Sequence, residues 1–275
     1  MNRLNESIKQ DITLSLRVWQ SLLNEFIPNG IEYIFTKGSS AKKWESDIDY
    51  VPIISDVDIH IKLKNNKKKL LSKNNSFENA SWFTNFYEKS FYKTCEEVNH
   101  NSLHLPRVQI VQLDFHGRKG YIVPPREQDV TWLQGKSIFP EEFDHEKIRE
   151  MDRKSLLNEK AFIDTIPESY LELSGLEYYT LLYRINSRMS ATPVRLLTQI
   201  LNENPHDIWA KNKTSIKNIL IENNFSELAS YYENYYVNGW KLFESSFTDT
   251  SIFRTMIKDG YNLLQGCYEE LKKTL

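Results

Sequence analysis

Apolar residues recur at helical spacing from residue 6 to 27, where Ile8, Ile12, Leu16, Trp19, Leu22, Leu23 and Phe26 fall on one face. This spacing predicts an amphipathic helix, stopped by Pro28-Asn29-Gly30. Residues 31–36 form an apolar run rich in Ile, Tyr and Phe, which suits a buried strand, and it ends in Lys37-Gly38-Ser39-Ser40. From Ser55 the pattern changes to strict alternation. Val57, Ile59, Ile61 and Leu63 share one face of a strand, and Asp56, Asp58, His60 and Lys62 share the other. Residues 77–98 return to helical spacing through Phe77, Trp82, Phe83, Phe86, Phe91 and Val98. Residues 107–115 read as a further strand, and from Val111 its polar face carries Gln112, Asp114 and His116. A short strand at 121–125 follows a Gly-bounded turn, and 126–150 reads as a connection with little regular structure. Ser40 to Trp44 reads as a short helix.

From about residue 146 the pattern is helical throughout. Segments are predicted at 146–160, at 175–189, at 193–203 with Thr192 as cap and Pro193 in first position, and from Pro205 through Leu220. Two more run over 227–246, capped by Ser226, and from Thr250 through Leu271. The fold class expected is α+β, an N-terminal mixed sheet with helices followed by a C-terminal all-α bundle. The domains expected are 1–145 and 146–275. Tyr231, Tyr232, Tyr235, Tyr236 and Trp240 crowd one helix and read as bundle core, because Tyr and Trp bury well with one polar handle.

The chemistry lies in the first half. Asp56 and Asp58 repel each other on one strand face, so a cation or solvent must compensate. Carboxylate oxygens are the preferred ligands of Mg²⁺. If the 107–115 strand lies beside the Asp56 strand, Asp114 joins them, and three carboxylates can hold two Mg²⁺ ions roughly 3.5–4 Å apart for displacement at phosphorus. A second pair, Asp47 and Asp49 in Ser46-Asp-Ile-Asp, stands nearer to Gly38. Either pair could hold metal. Asp56/Asp58 is preferred because an alternating strand continues from it, whereas Asp49 is soon followed by Pro52, which cannot donate within a central strand.

Gly38-Ser39 after a strand, Asp56-Val57-Asp58 entering a second, and Asp114 on a later one resemble the nucleotidyltransferase superfamily of the DNA polymerase β type. The motif region spans about residues 31–115, and the gap from Gly38 to Asp56 is longer than the family usually shows. The resemblance implies that Gly38, Ser39, Ser40 and Lys42 bind the triphosphate of an NTP, most simply ATP. It implies that Asp56, Asp58 and Asp114 bind two Mg²⁺ ions and act in catalysis, with Asp114 as candidate base. A catalytic half followed by a helical half is similar in order to small-molecule nucleotidyltransferases such as antibiotic adenylyltransferases, whose helical domain supplies acceptor-binding groups. The activity implied is transfer of an NMP to a hydroxyl of a small molecule, with pyrophosphate leaving. An RNA 3′ end or a protein side chain as acceptor, a non-catalytic NTP-binding module and a two-metal phosphohydrolase stay open as alternatives.

Composition narrows the partners. The net charge of −2 argues against a long nucleic-acid acceptor, which needs many phosphate contacts. Cys95 and Cys267 are the two cysteines, too few for a disulfide framework or zinc spacing. No apolar run reaches membrane-spanning length, so no membrane partner and a cytoplasmic location are expected. Oligomeric state is not legible. Lys67, Lys68, Lys69 and Lys73 read as a solvated loop or a basic flap. Glu172 and Glu177 read as surface acids that could attract a cationic acceptor.

Overall fold

The structure is a computed structural model that describes residues 3–65, 70–71, 76–113, 126–136, 144–172 and 176–275. The described residues form two compact units, one within 3–42, 55–113 and 126–136, the other within 43–54 and 144–275.

The first unit is α+β. Helix α1 (Arg3–Phe26) leads into β1 (Ile31–Lys37), then β2 (Val57–Leu63), α2 (Ser76–Glu97), β3 (Val108–Gln112) and β4 (Thr131–Gln134). The four strands make one mixed sheet in the order β3-β2-β1-β4. β1 runs antiparallel to β2, with Phe35 opposite His60 and Lys37 opposite Asp58. β3 runs parallel to β2 and sets Val57 against Val108 and Asp58 against Gln109. A parallel pair needs a crossover, which α2 provides. The alternation read in β2 is realised: Val57, Ile59, Ile61 and Leu63 are all buried. The opposite face differs from a simple polar one, because His60 is buried too, its ring stacked 4.8 Å from Phe35.

α1 and α2 join through aromatic contacts, Trp19 to Phe83 and Tyr87 and Phe26 to Phe83. Asp11, fully buried in α1, accepts hydrogen bonds from the backbone N–H groups of Leu103 and His104 and pairs with the rings of His100 and His104. It thereby fixes the loop that delivers β3. The aromatic anchors expected in α2 divide: Phe83 and Phe91 are buried, while Phe77 is 79% exposed and Trp82 40%.

β4 was not expected. It falls within the stretch read as irregular and is only four residues long, so its period-2 signal is too short to register. Hydrogen bonds from Gln20 to the carbonyl of Leu133 and from Asn24 to Gln134 hold it to α1. The short helix expected at Ser40–Trp44 does not form either. The amides of Ala41 and Lys42 both turn back to the carbonyl of Gly38, and the chain continues without helix to Trp44. The strand expected at 121–125 and the lysines at 67–69 and 73 lie outside the described residues.

The second unit is helical: α3 (His145–Asn158), α4 (Lys160–Ile163), α5 (Ile166–Glu172), α6 (Leu176–Met189), α7 (Ala191–Ile200), α8 (Pro205–Ala210), α9 (Lys213–Glu222), α10 (Ser226–Glu244) and α11 (Thr250–Lys273). Its core includes Ile185, Met189, Leu196, Leu197, Tyr232, Tyr235, Phe253, Met256 and Leu264, all buried. At Gly260 an added Cβ would lie 2.4 Å from Ile185, so glycine is what lets α11 approach α6 this closely. The Tyr-rich side of α10 is core as expected at Tyr232, Tyr235, Tyr236 and Trp240, but Tyr231 is only half-buried and donates its hydroxyl to Glu227. The helix expected from Pro205 through Leu220 is two helices. Asn204 caps the first through the amide of His206, and Asn212 caps the second through the amide of Ser215. α7 begins at Ala191, one residue before the expected cap Thr192, which is buried in its first turn. α4 and α5 are short additions that periodicity cannot detect.

Residues 43–54 belong to this helical unit. Asp49 ties them down. Its carboxylate accepts from the amides of Glu45, Ser46 and Thr214 and from the hydroxyl of Thr214. Beyond it, Ile53 adopts a positive φ of 69°, rare for a β-branched residue, and the amide of Ile54 returns to the carbonyl of Pro52. This tight turn and Pro52 prevent a strand here and release the chain toward Asp56.

Candidate functional site

The candidate site lies at one end of the sheet, where β1 finishes and β2 begins. Gly38 follows β1 with φ of 91°, the left-handed region that glycine adopts freely. A Cβ there would stand 2.9 Å from Oδ2 of Asp58. The turn therefore packs directly on the second carboxylate of the Asp56-Val-Asp58 motif, and the absent side chain is what permits the approach. Gly38, Ser39, Ser40 and Lys42 are all half-buried. The Ser40 hydroxyl is enclosed without a hydrogen-bond partner.

Charged side chains on β1 and β2, and on the segments leading into β2, β3 and β4, gather at this end. Lys37 on β1 sits opposite Asp58 on β2. Arg107, just before β3, donates to Asp56 Oδ2 at 3.1 Å. Arg126, before β4, holds Asp129 through two hydrogen bonds, at 2.8 and 3.2 Å. The signs thus run Arg107, Asp56 and Asp58, Lys37, Asp129, Arg126 across the sheet end.

Burial and the neighbouring Asp56 charge raise the Asp58 carboxyl to about 7, against the pull of Lys37 and Arg107. Burial lowers the Lys37 ammonium, with Asp58 and Asp129 opposing. A carboxyl held near neutrality by burial and a like-charged neighbour suits a divalent cation. The donor set agrees, since Mg²⁺ is commonly held by one or two carboxylates with waters and substrate phosphates completing its shell. Among the described residues no three His, Cys, Asp or Glu side chains form a metal-binding cluster.

Of the residues expected here, Gly38 packs on Asp58, which Asp56 neighbours, and Ser39, Ser40 and Lys42 belong to the turn that Gly38 opens. Asp114 lies outside the described residues. The described part of β3 does lie beside β2, but its parallel register puts exposed Gln109 opposite Asp58, and its last pair with β2, Ile61 with Gln112, is three residues further along. Asp47 and Asp49 belong to the helical unit, where Asp49 serves the network described above. His60 is a stacked core residue, and His116 lies outside the described residues. Glu172 and Glu177 are exposed.

Sequence reading missed Lys37, Arg107, Arg126 and Asp129. Lys37 was detectable, because the β1 alternation that puts Phe35 opposite His60 also puts Lys37 opposite Asp58. Arg126 and Asp129 were not, because β4 was unseen.

Gly38→Ala is expected to cost about 1–2 kcal/mol from the left-handed backbone alone. It also pushes the new methyl into Asp58, so titration calorimetry is expected to show Mg·NTP binding weakened about tenfold or more. Unchanged affinity and melting temperature would show that the turn does not shape the site.

No helix is long and apolar enough to cross a membrane among the described residues. No family model, curated protein or solved structure matches the chain.

Proposed function

We propose that the protein is a Mg²⁺-dependent nucleotidyltransferase that moves an NMP, in the simplest case AMP, from an NTP to a hydroxyl of a small molecule and releases pyrophosphate. The observation that carries this reading is the packing of the Gly38 turn onto Asp58, beside Asp56. A phosphohydrolase would also use clustered carboxylates, but it has no need of a glycine turn set against them.

Each residue has a role in this reading. Gly38 lets backbone approach the triphosphate, Ser40 offers a hydroxyl donor that lacks a partner, and Lys42 adds positive charge at the same turn. Asp56 and Asp58 would hold the metal, with water and the substrate phosphates completing its shell. Mg²⁺, when bound, neutralises phosphate charge and polarises the reacting phosphoryl group. Positioning and electrostatic stabilisation supply most of such catalysis. The engagement of Asp49 by four donors favours Asp56/Asp58 as the metal pair.

The test offers α-labelled ATP and Mg²⁺ with aminoglycosides, lincosamides, bulk tRNA or cell lysate, each separately. Label is expected on a small molecule. Label moving only onto tRNA or a protein band would overturn the acceptor class and keep the transfer chemistry. No transfer and no NTP binding would overturn the enzyme reading.

A further inference from the structure

The acid pair already has cations. Arg107 donates to Asp56 Oδ2 at 3.1 Å, and Lys37 stands opposite Asp58 in the β1–β2 register. Arg107, just before β3, thus pairs directly with Asp56, and Lys37 on β1 lies within electrostatic reach of Asp58. Arg107 is not saturated by this contact, since its Nε is enclosed without a hydrogen-bond partner. Lys37 also has Asp129 within electrostatic reach, on the side away from Asp58, and Asp129 is itself held by Arg126. Arg107 offsets the charge of Asp56, and Lys37 offsets that of Asp58 when its carboxyl is ionised.

We infer that Lys37 and Arg107 are resident counter-ions that make the site accept a divalent ion only together with a triphosphate. This rests on the nucleotidyltransferase reading and names the form of its substrate, the metal–triphosphate complex entering as a unit. A free divalent ion arriving alone meets two cations that it must repel or displace, and the acid on the other side of Lys37, Asp129, is already held by Arg126. A metal–triphosphate complex brings negative oxygens along with the metal. The carboxylates then turn to the metal while Lys37 and Arg107 pass to the phosphates, so the charges on both sides stay paired. Arg suits the second task, because its planar fork binds phosphate oxygens as readily as a carboxylate. The two residues therefore position the carboxylates in the resting site and bind phosphate in the loaded one.

The test measures Mn²⁺ binding by the loss of its free-ion electron paramagnetic resonance signal. It uses wild type, Lys37→Met, Arg107→Gln and the double variant, without nucleotide and then with each α,β-methylene NTP analogue. Arg107 is partly exposed, so Arg107→Gln keeps the test valid if Lys37→Met does not fold, with circular dichroism checking both. Each single variant is expected to bind Mn²⁺ alone about tenfold more tightly than wild type and the Mn²⁺–analogue complex about tenfold more weakly. This opposite movement is the signature, because a merely structural defect would weaken both. If wild type binds the complex but the variants gain nothing for Mn²⁺ alone, the counter-ion inference is overturned and the nucleotidyltransferase reading stands. If wild type binds the complex of no analogue, both fall.

Discussion

Asp58→Asn is expected to abolish metal-dependent NTP binding and to lower nucleotidyl transfer by roughly 100- to 1,000-fold or more, the scale seen when one preorganised electrostatic group is lost from a site. The protein should stay folded, because Asp58 is half-buried at a sheet end and its loss also removes a repulsion with Asp56. Asp56→Asn should weaken binding in the same direction and release Arg107 from its carboxylate contact. Titration calorimetry with Mg²⁺ and a non-hydrolysable NTP checks both. Unchanged affinity in the two variants would remove Asp56 and Asp58 from the metal assignment.

The same substitution has a signature in stability. The Asp58 carboxyl is raised from 3.8 to about 7 in the folded protein, so the fold favours its protonated form. Between these values the folded state binds more protons than the unfolded one. Stability in metal-free buffer therefore falls as pH rises from about 4 to about 7 and levels off above that, by on the order of 2–4 kcal/mol from this group. Asp152 and Asp259, also raised chiefly by burial, act in the same direction, so the wild-type curve alone does not isolate Asp58. The difference between wild type and Asp58→Asn does. That difference should close toward low pH and widen toward pH 7, with the Asp58→Asn variant the more stable at the upper end. A pH-independent difference would show that Asp58 is not held protonated.

Much of the sheet unit was legible because period-2 alternation is strong where one face is buried. Val57, Ile59, Ile61 and Leu63 fixed both the strand and the face of Asp58. Local chemistry carried less information wherever tertiary partners decide conformation. Ser40 to Trp44 has no strong breaker, yet its carbonyls and amides are claimed from outside a helix, as when Asn212 donates to the carbonyl of Lys43. The counter-ions were hidden for a different reason. Pairing Arg107 with Asp56 depends on β3 running parallel to β2 in one particular register, which no property of either segment read alone specifies. Asp47 and Asp49 show the converse. The same Ser-Asp-x-Asp letters stand against the Gly38 turn in one place and fasten residues 43–54 in another, and only their tertiary partners separate them.

That separation gives the largest expected effect on stability. Asp49→Ala should cost about 3 kcal/mol or more, because Asp49 is buried and four donors lose their acceptor at once. For a chain of this size that lowers the melting temperature by roughly 6–12 °C. Asp49→Asn should fall between, since its amide nitrogen cannot accept from all the groups that Asp49 now serves. The damage should spread along residues 43–54. Lys213 donates to the Asp49 carbonyl at 2.7 Å and lies 4.6 Å over the Tyr236 ring, and Trp240 donates to the carbonyl of Asp47. Each of these contacts needs the segment in place. Below the new melting temperature, Asp49→Ala should still bind Mg·NTP, because the Asp49 carboxylate faces Thr214 and its own turn. Scanning calorimetry paired with titration of the folded variant reads both quantities. An Asp47→Asn, Asp49→Asn protein that melts like wild type but no longer binds Mg·NTP, alongside an Asp56→Asn protein that still does, would move the metal site to the 47–49 pair.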